Sequence, residues 1–437
     1  MIICFLVGVI YFLIQTSLLL ATGEGWTKFW LLDHIENFQY WDASLHAQLA
    51  VNPACSAFYP LWPSLVRVLT NPDTVEEALK VMIVTSEILF LASLPLARIT
   101  FDRIIKNTNV SRLVFILYAL GPNAIFHSIG YTESLFSLLS LLFLLSLHTA
   151  EQKEISPVKT LSLYGAIFVL SVLLNLLRPV LLQSWFAITF ILIILSIIRR
   201  ISSSNGDDLP LTAKTTPLTI LIGIGSIVGY SIYGFFCLNT VGNFLAPFQA
   251  QQSWGRTIAF RPWLLVFPRS LLMDIHALYT SILVFAVLGY LLYAIYRGWR
   301  EIVIHLPSKP WIYIFLFHPL FFIAILTGLS YFAKGWIKSI PIHHPKQVLN
   351  NWISFTVLYA VAFSGVHCII NFLANSGYLY SNARHYFGTP YAFVSIGVML
   401  TSLSVPKLNR LMWVIAAVGV VWLGSQWFNY GSGGWLG

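Results

Sequence analysis

About twelve runs of apolar residues, most close to the roughly 20 residues needed to cross a bilayer, leave this chain few folding options. They fall near 1–20, 78–97, 112–129, 132–149, 159–176, 180–198, 217–240, 275–297, 311–330, 352–373, 388–405 and 411–428. The runs are continuous, without the alternation that a membrane β-barrel requires. Only 9% of the residues are charged, and no stretch has the composition of a soluble domain. The expectation is an all-α polytopic transmembrane bundle of about 10–12 helices, residues 1–437 forming one unit. Residues 1–20 lack a basic n-region and exceed a typical signal-peptide core, so they read as a retained first helix.

Charge sets the expected orientation. Arg98, Arg103, Lys106 and Arg112 crowd one loop, Arg199, Arg200 and Lys214 a second, and Arg297, Arg300 and Lys309 a third, which makes these loops cytoplasmic. The net charge of +9 is thereby explained by topology, and no nucleic-acid partner is implied. Residues 21–77 carry Glu24, Asp33, Glu36, Asp42, Asp73, Glu76 and Glu77 against Lys28 and Arg67, placing Asp42 in an extracytoplasmic loop after the first helix. Further on the alternation breaks. If every run crosses, Arg384 falls inside, whereas Lys407 and Arg410 require it outside. The 311–330 run, interrupted by His318-Pro319, is the expected exception, because a proline break at membrane depth needs protein or a cavity to cover the freed backbone. Asn109-Val110-Ser111 is a formal glycosylation sequon, but its loop reads as cytoplasmic. Cys4, Cys55, Cys237 and Cys368 have no CxxC pairing, and three of them sit in apolar runs, so neither a disulfide framework nor a metal site is expected.

The polar residues that interrupt this pattern are few. Phe38-Gln39-Tyr40-Trp41-Asp42-Ala43-Ser44-Leu45-His46 opens the first outer loop, followed by Ala57-Phe58-Tyr59-Pro60-Leu61-Trp62-Pro63. An N-cap aspartate with an aromatic belt would look the same as a catalytic carboxylate here. Glu133, in Tyr131-Thr132-Glu133-Ser134, opens an apolar helix, where it either stabilises the N-terminus or shapes a sugar site. Arg178 stands between two apolar runs, a costly position unless it faces a cavity or the interface. Arg384-His385-Tyr386 opens a late helix. Gln249-Ala250-Gln251-Gln252-Ser253-Trp254-Gly255-Arg256 joins amides, an indole and a cation on the outer side, as a glycan-binding or an interfacial segment would. His343-His344 lacks metal-ligand spacing.

The Trp41-Asp42 pair, the Ala57–Trp62 segment and Gly121-Pro122-Asn123-Ala124-Ile125-Phe126-His127-Ser128-Ile129-Gly130-Tyr131-Thr132-Glu133-Ser134 together resemble the PIG-V family, GPI mannosyltransferase 2 and its bacterial relatives. The likeness is densest over residues 38–140, with Arg178 and 384–390 adding to it. It implies a GT-C type glycosyltransferase that moves mannose from a polyprenyl- or dolichyl-phosphate donor to a lipid-linked acceptor such as a GPI precursor. The membrane would be the endoplasmic reticulum in a eukaryote and the inner membrane in a bacterium. The compact outer loop 241–275 and His385 between Arg384 and Tyr386 depart from the family pattern and bear on the acceptor.

The chemistry matches these residue types. Inverting transfer needs one base for the acceptor hydroxyl and positive charge for the departing phosphate, which leaves without a general acid. Asp42 would be the base, with Glu133 supporting it. Arg384 and Arg178 would bind the donor phosphate, since a guanidinium fork matches phosphate oxygens. Trp41, Tyr131, Trp254, Arg256 and Tyr386 would contact substrate. No cofactor is required, and the sequence leaves open a loosely held divalent cation beside Asp42. A transporter or lipid flippase, or a non-catalytic assembly subunit, would show the same apolar runs; the repeated halves common among transporters are absent.

Overall fold

In the computed structural model, residues 2–24, 42–152, 155–205, 215–253, 257–265, 272–307, 327–328, 337–343, 345–403, 406–434 and 436 are described. The order is α1 (Ile2–Leu19), α2 (Asp42–Val51), α3 (Leu61–Thr70), α4 (Val75–Ile104), α5 (Thr108–Leu120), a 3-10 segment (Pro122–His127), α6 (Glu133–Glu151), α7 (Pro157–Leu177), α8 (Leu181–Asn205), α9 (Thr215–Val241), α10 (Ala246–Ser253) and α11 (Leu272–Tyr296). A β1 (Glu301–Pro307) and β2 (Ile337–His343) hairpin follows, then α12 (Pro345–Leu349), α13 (Phe355–Ala374), α14 (Asn382–Phe387), α15 (Pro390–Leu403) and α16 (Pro406–Gly431). Among the described residues nine helices are long and apolar enough to span a membrane, and α5 and α15 are shorter apolar helices. The chain is a polytopic membrane-spanning helical bundle.

Local chemistry sets the ends. Thr74 caps α4 by accepting from the Glu77 amide, while the Glu77 carboxylate reaches back to the Asp73 amide. Ser156 caps α7 ahead of Pro157, and Ser354 caps α13 by accepting from the Val357 amide. The helix expected over 112–129 stops at Leu120, because Gly121-Pro122 breaks the ladder and starts the tighter 3-10 segment. That break turns residues 121–132 into a buried loop at one end of the bundle.

Contacts fix how the helices run. Glu151, at the end of α6, accepts from the Phe355 and Thr356 amides at the start of α13. Asp274, at the start of α11, accepts from the Ala383 amide 2.6 Å away, just before Arg384. Glu133, Asp274, Ala374 and Arg384 therefore lie toward one face, and Glu151, Tyr296 and Phe355 toward the other. Arg103, Lys106, Arg112, Arg199, Arg200, Arg297, Arg300 and Arg410 are exposed at that second face, the distribution of a cytoplasmic side. The 311–330 run lies outside the described residues apart from 327–328. Its flanks β1 and β2 pair antiparallel, Glu301 with His343 through Pro307 with Ile337, so the chain enters and leaves that stretch on one face. The later helices then alternate as Arg384, Lys407 and Arg410 demand.

The expectation of unpaired cysteines is corrected. Cys55, after α2, and Cys237, near the end of α9, form a disulfide with Cα atoms 5.2 Å apart. The apolar run around Cys237 reads as a buried thiol, yet its last turns reach the face that carries the first outer loop. There Tyr233 donates to the backbone around Ser56 and Phe58, knitting that loop to α9. Cys4 and Cys368 are buried free thiols.

Candidate active site

Asp42, Glu133, Arg178 and Arg384, from four distant stretches of sequence, meet as one chain of ion pairs. Arg384 donates through Nη1 to Asp42 Oδ2 at 2.5 Å and through Nε to Glu133 Oε1. The same Glu133 oxygen receives Arg178 Nη2 at 2.5 Å. Arg178 Nε donates to Thr132 Oγ1 at 2.8 Å, and its guanidinium lies over the Phe136 ring. The Arg384 guanidinium lies 4.2 Å over the centre of Tyr131 and also faces Phe126. Two carboxylates thus meet two guanidiniums, the compensation that burying charge in a bundle requires.

Each side chain is held by its own element. Asp42 is the first residue of α2, and its side chain keeps 33% of its surface exposed, the most accessible of the four. Glu133 opens α6 with its side chain fully buried, and Gly388 comes so close to it that a Cβ would touch Glu133 Cγ. Arg178 ends α7 and is buried, so it does not snorkel into lipid. Arg384 sits on the short α14, whose start is fixed by Asp274 below it and by Ser381 in the left-handed region at φ 60°. The loop before Glu133 turns at Gly130, φ 81°, a conformation a side chain would strain, and Trp62 Nε1 donates to the Gly130 carbonyl at 3.0 Å. The aromatic residues of α3 thereby brace the loop that delivers Tyr131, Thr132 and Glu133.

Electrostatics follow from burial. Burial alone would lower Arg384, but Glu133 and Asp42 outweigh it and hold its guanidinium above the ordinary range. Arg178 is pushed down by burial, with Glu133 opposing. His46, one turn along α2 from Asp42, is pushed down to about 4 by burial against the opposing charge of Asp42, so its imidazole is neutral.

Of the substrate-contact candidates, Tyr131 is buried beneath Arg384, forming a floor to the site. Tyr386 is buried among Ile275, Leu278, Cys368 and Phe372, two residues along α14 from Arg384 and away from the ion pairs. Trp41, Trp254 and Arg256 lie outside the described residues. From the segment ahead of Trp254, Gln251 donates to the Ala57 carbonyl, which places it on the first outer loop. Sequence reasoning assigned no role to His46, Thr132 or Asp274. The four-residue spacing of Asp42 and His46 on a helix, and an acid opening the apolar α11, are the signals that could have found two of them.

No family model and no curated protein matches this chain. Among solved structures, it is similar to the Archaeoglobus fulgidus oligosaccharyltransferase in its apo form, at 12% identity and a TM-score of 0.46 over 97% of this chain and 56% of that one. The same enzyme in complex with Zn and sulfate gives a TM-score of 0.41 at 12% identity, over 97% of this chain and 53% of that one. This chain spans about half the length of either.

Proposed function

We propose that this protein is an inverting membrane glycosyltransferase of GT-C type, moving mannose from a polyprenyl-phosphate donor to a lipid-linked glycan acceptor on the extracytoplasmic face. The observation that carries the reading is the Asp42–Arg384–Glu133–Arg178 chain, which gathers one accessible carboxylate and two cations at the face opposite the basic loops. Asp42 takes the proton of the acceptor hydroxyl as that oxygen bonds to the sugar C1, and the C1–O bond to phosphate breaks with its electrons going to the phosphate. Glu133, buried and shared by two guanidiniums, is a positioning residue that holds both cations toward the leaving group. Mannose, and an acceptor such as a GPI precursor, follow from the sequence resemblance.

The test is to incubate purified protein with labelled polyprenyl-phosphate-mannose and a lipid-linked glycan extract, then identify the labelled product by mass. A glycan heavier by one hexose is expected. Labelled donor moved across a vesicle membrane with no change in glycan mass would instead establish the transporter or flippase reading.

A further inference from the structure

We infer that a phosphate-oxygen subsite lies beneath the ion-pair chain, between Arg178 and His367, and that it takes the phosphate of the lipid donor. This rests on the transferase reading above. Arg384 gives Nε to Glu133 and Nη1 to Asp42, as Arg178 gives Nε to Thr132 and Nη2 to Glu133. The remaining Arg178 nitrogen, Nη1, is buried and has no hydrogen-bond partner. His367, on α13, is buried with neither ring nitrogen partnered, and its ring stacks on Phe363, which stacks in turn on the Phe136 ring that lies under the Arg178 guanidinium. His385, next to Arg384, meets the His367 ring edge-on with centroids 5.4 Å apart.

Buried donors without acceptors are uncommon in folded proteins, and two on one aromatic cluster in an apolar bundle mark a place for a group with several acceptor oxygens. A tetrahedral phosphate is such a group, and guanidinium and imidazole N–H groups suit it. Glu133 Oε2, also buried and unpartnered, is an acceptor beside them that suits a hydroxyl of the same ligand and not its anionic oxygens. His367 lies seven residues before the end of α13, roughly 10 Å into the bundle. A phosphate held there would have its prenyl chain at hydrocarbon depth. The two carboxylates and two guanidiniums already balance, so recognition depends on the hydrogen bonds of Arg178 Nη1 and His367 more than on spare charge.

The experiment compares wild type, His367→Ala and His367→Gln, using farnesyl phosphate and inorganic phosphate as inhibitors of transfer. In His367→Ala the donor KM and the farnesyl phosphate inhibition constant should both rise about tenfold, the loss of one hydrogen bond to a charged group. His367→Gln, which keeps an N–H, should recover part of that loss. Inorganic phosphate competing as well as farnesyl phosphate would support the subsite but assign it to the free anion. An unchanged inhibition constant in a folded His367→Ala protein would overturn it, even if kcat fell. Should wild type transfer no sugar, the transferase reading fails separately, and calorimetric binding of farnesyl phosphate to wild type and His367→Ala still decides the subsite.

Discussion

The two faces of the bundle use the same residue types for opposite ends. On the basic face, Arg98 pairs with Asp102 one turn away on the same helix, at 2.7 Å with the aspartate 40% exposed. On the other face, Asp42, Glu133, Arg178 and Arg384 pair across four elements and are largely buried. The local pair forms within one helix, with Ser111 of α5 bridging it, and contributes less because water reaches its Asp102 end. The long-range set exists only when α2, α6, α7 and α14 are assembled, and each member depends on the others for its charge to be tolerable. Charge on the basic face pairs locally within a helix; charge on the other face pairs remotely and is enclosed.

Breaking the enclosed set should therefore cost far more than breaking the local pair. Glu133→Gln leaves the buried Arg178 without a carboxylate and Arg384 with Asp42 alone, and removing one partner of a buried pair costs about 3–5 kcal/mol. Thermal unfolding in detergent should show that loss, together with loss of transfer. Near-wild-type stability would mean that the Glu133 charge is not what holds Arg178 in the bundle. Next in size is the Cys55–Cys237 disulfide, which spans 182 residues of sequence on the site face. Replacing both cysteines by serine should lower stability by about 2–4 kcal/mol, measured the same way under non-reducing conditions.

A third effect, of similar size, depends on pH and belongs to the site face. His46 and His127 are both pushed down to about 4 by burial, against about 6.5 in an unfolded chain. The unfolded chain binds more protons in that interval, so the stability due to neutral imidazoles is present above about pH 6.5 and is lost as pH falls toward 4. Each histidine contributes on the order of 3 kcal/mol to that slope. His46→Gln should flatten the stability profile between those limits; an unchanged slope would show that His46 is protonated in the fold. Smallest of all, Arg98→Ala should shift stability by no more than about 1 kcal/mol and leave transfer intact.

The same division explains what could be read in advance. Helix positions and the side on which Asp42 lies follow from apolar length and charge counts, which are properties of neighbouring residues. Asp42, Glu133, Arg178 and Arg384 stood out because a charge beside an apolar run needs a reason. Their pairing was not legible, since nothing near Glu133 in sequence says that residues 178 and 384 will share one of its oxygens. Cys237 was hidden by its own apolar run. Asp274 acts through the backbone of Ala383, so its partner leaves no side-chain signature. The early end of α5 was written in Gly121-Pro122, but the apolar residues that continue to Ile129 masked it.

The most direct measurement is single-turnover transfer by Asp42→Asn from polyprenyl-phosphate-mannose, with a thermal midpoint close to wild type as the check on folding. Asp42 is the exposed end of the ion-pair chain, so its substitution spares the buried Glu133–Arg178 and Glu133–Arg384 contacts. Loss of the base should slow transfer by about 10²–10⁴-fold with the donor still bound. Transfer within about threefold of wild type by folded Asp42→Asn protein would contradict Asp42 as the base and, with it, the reading of this ion-pair chain as the active site.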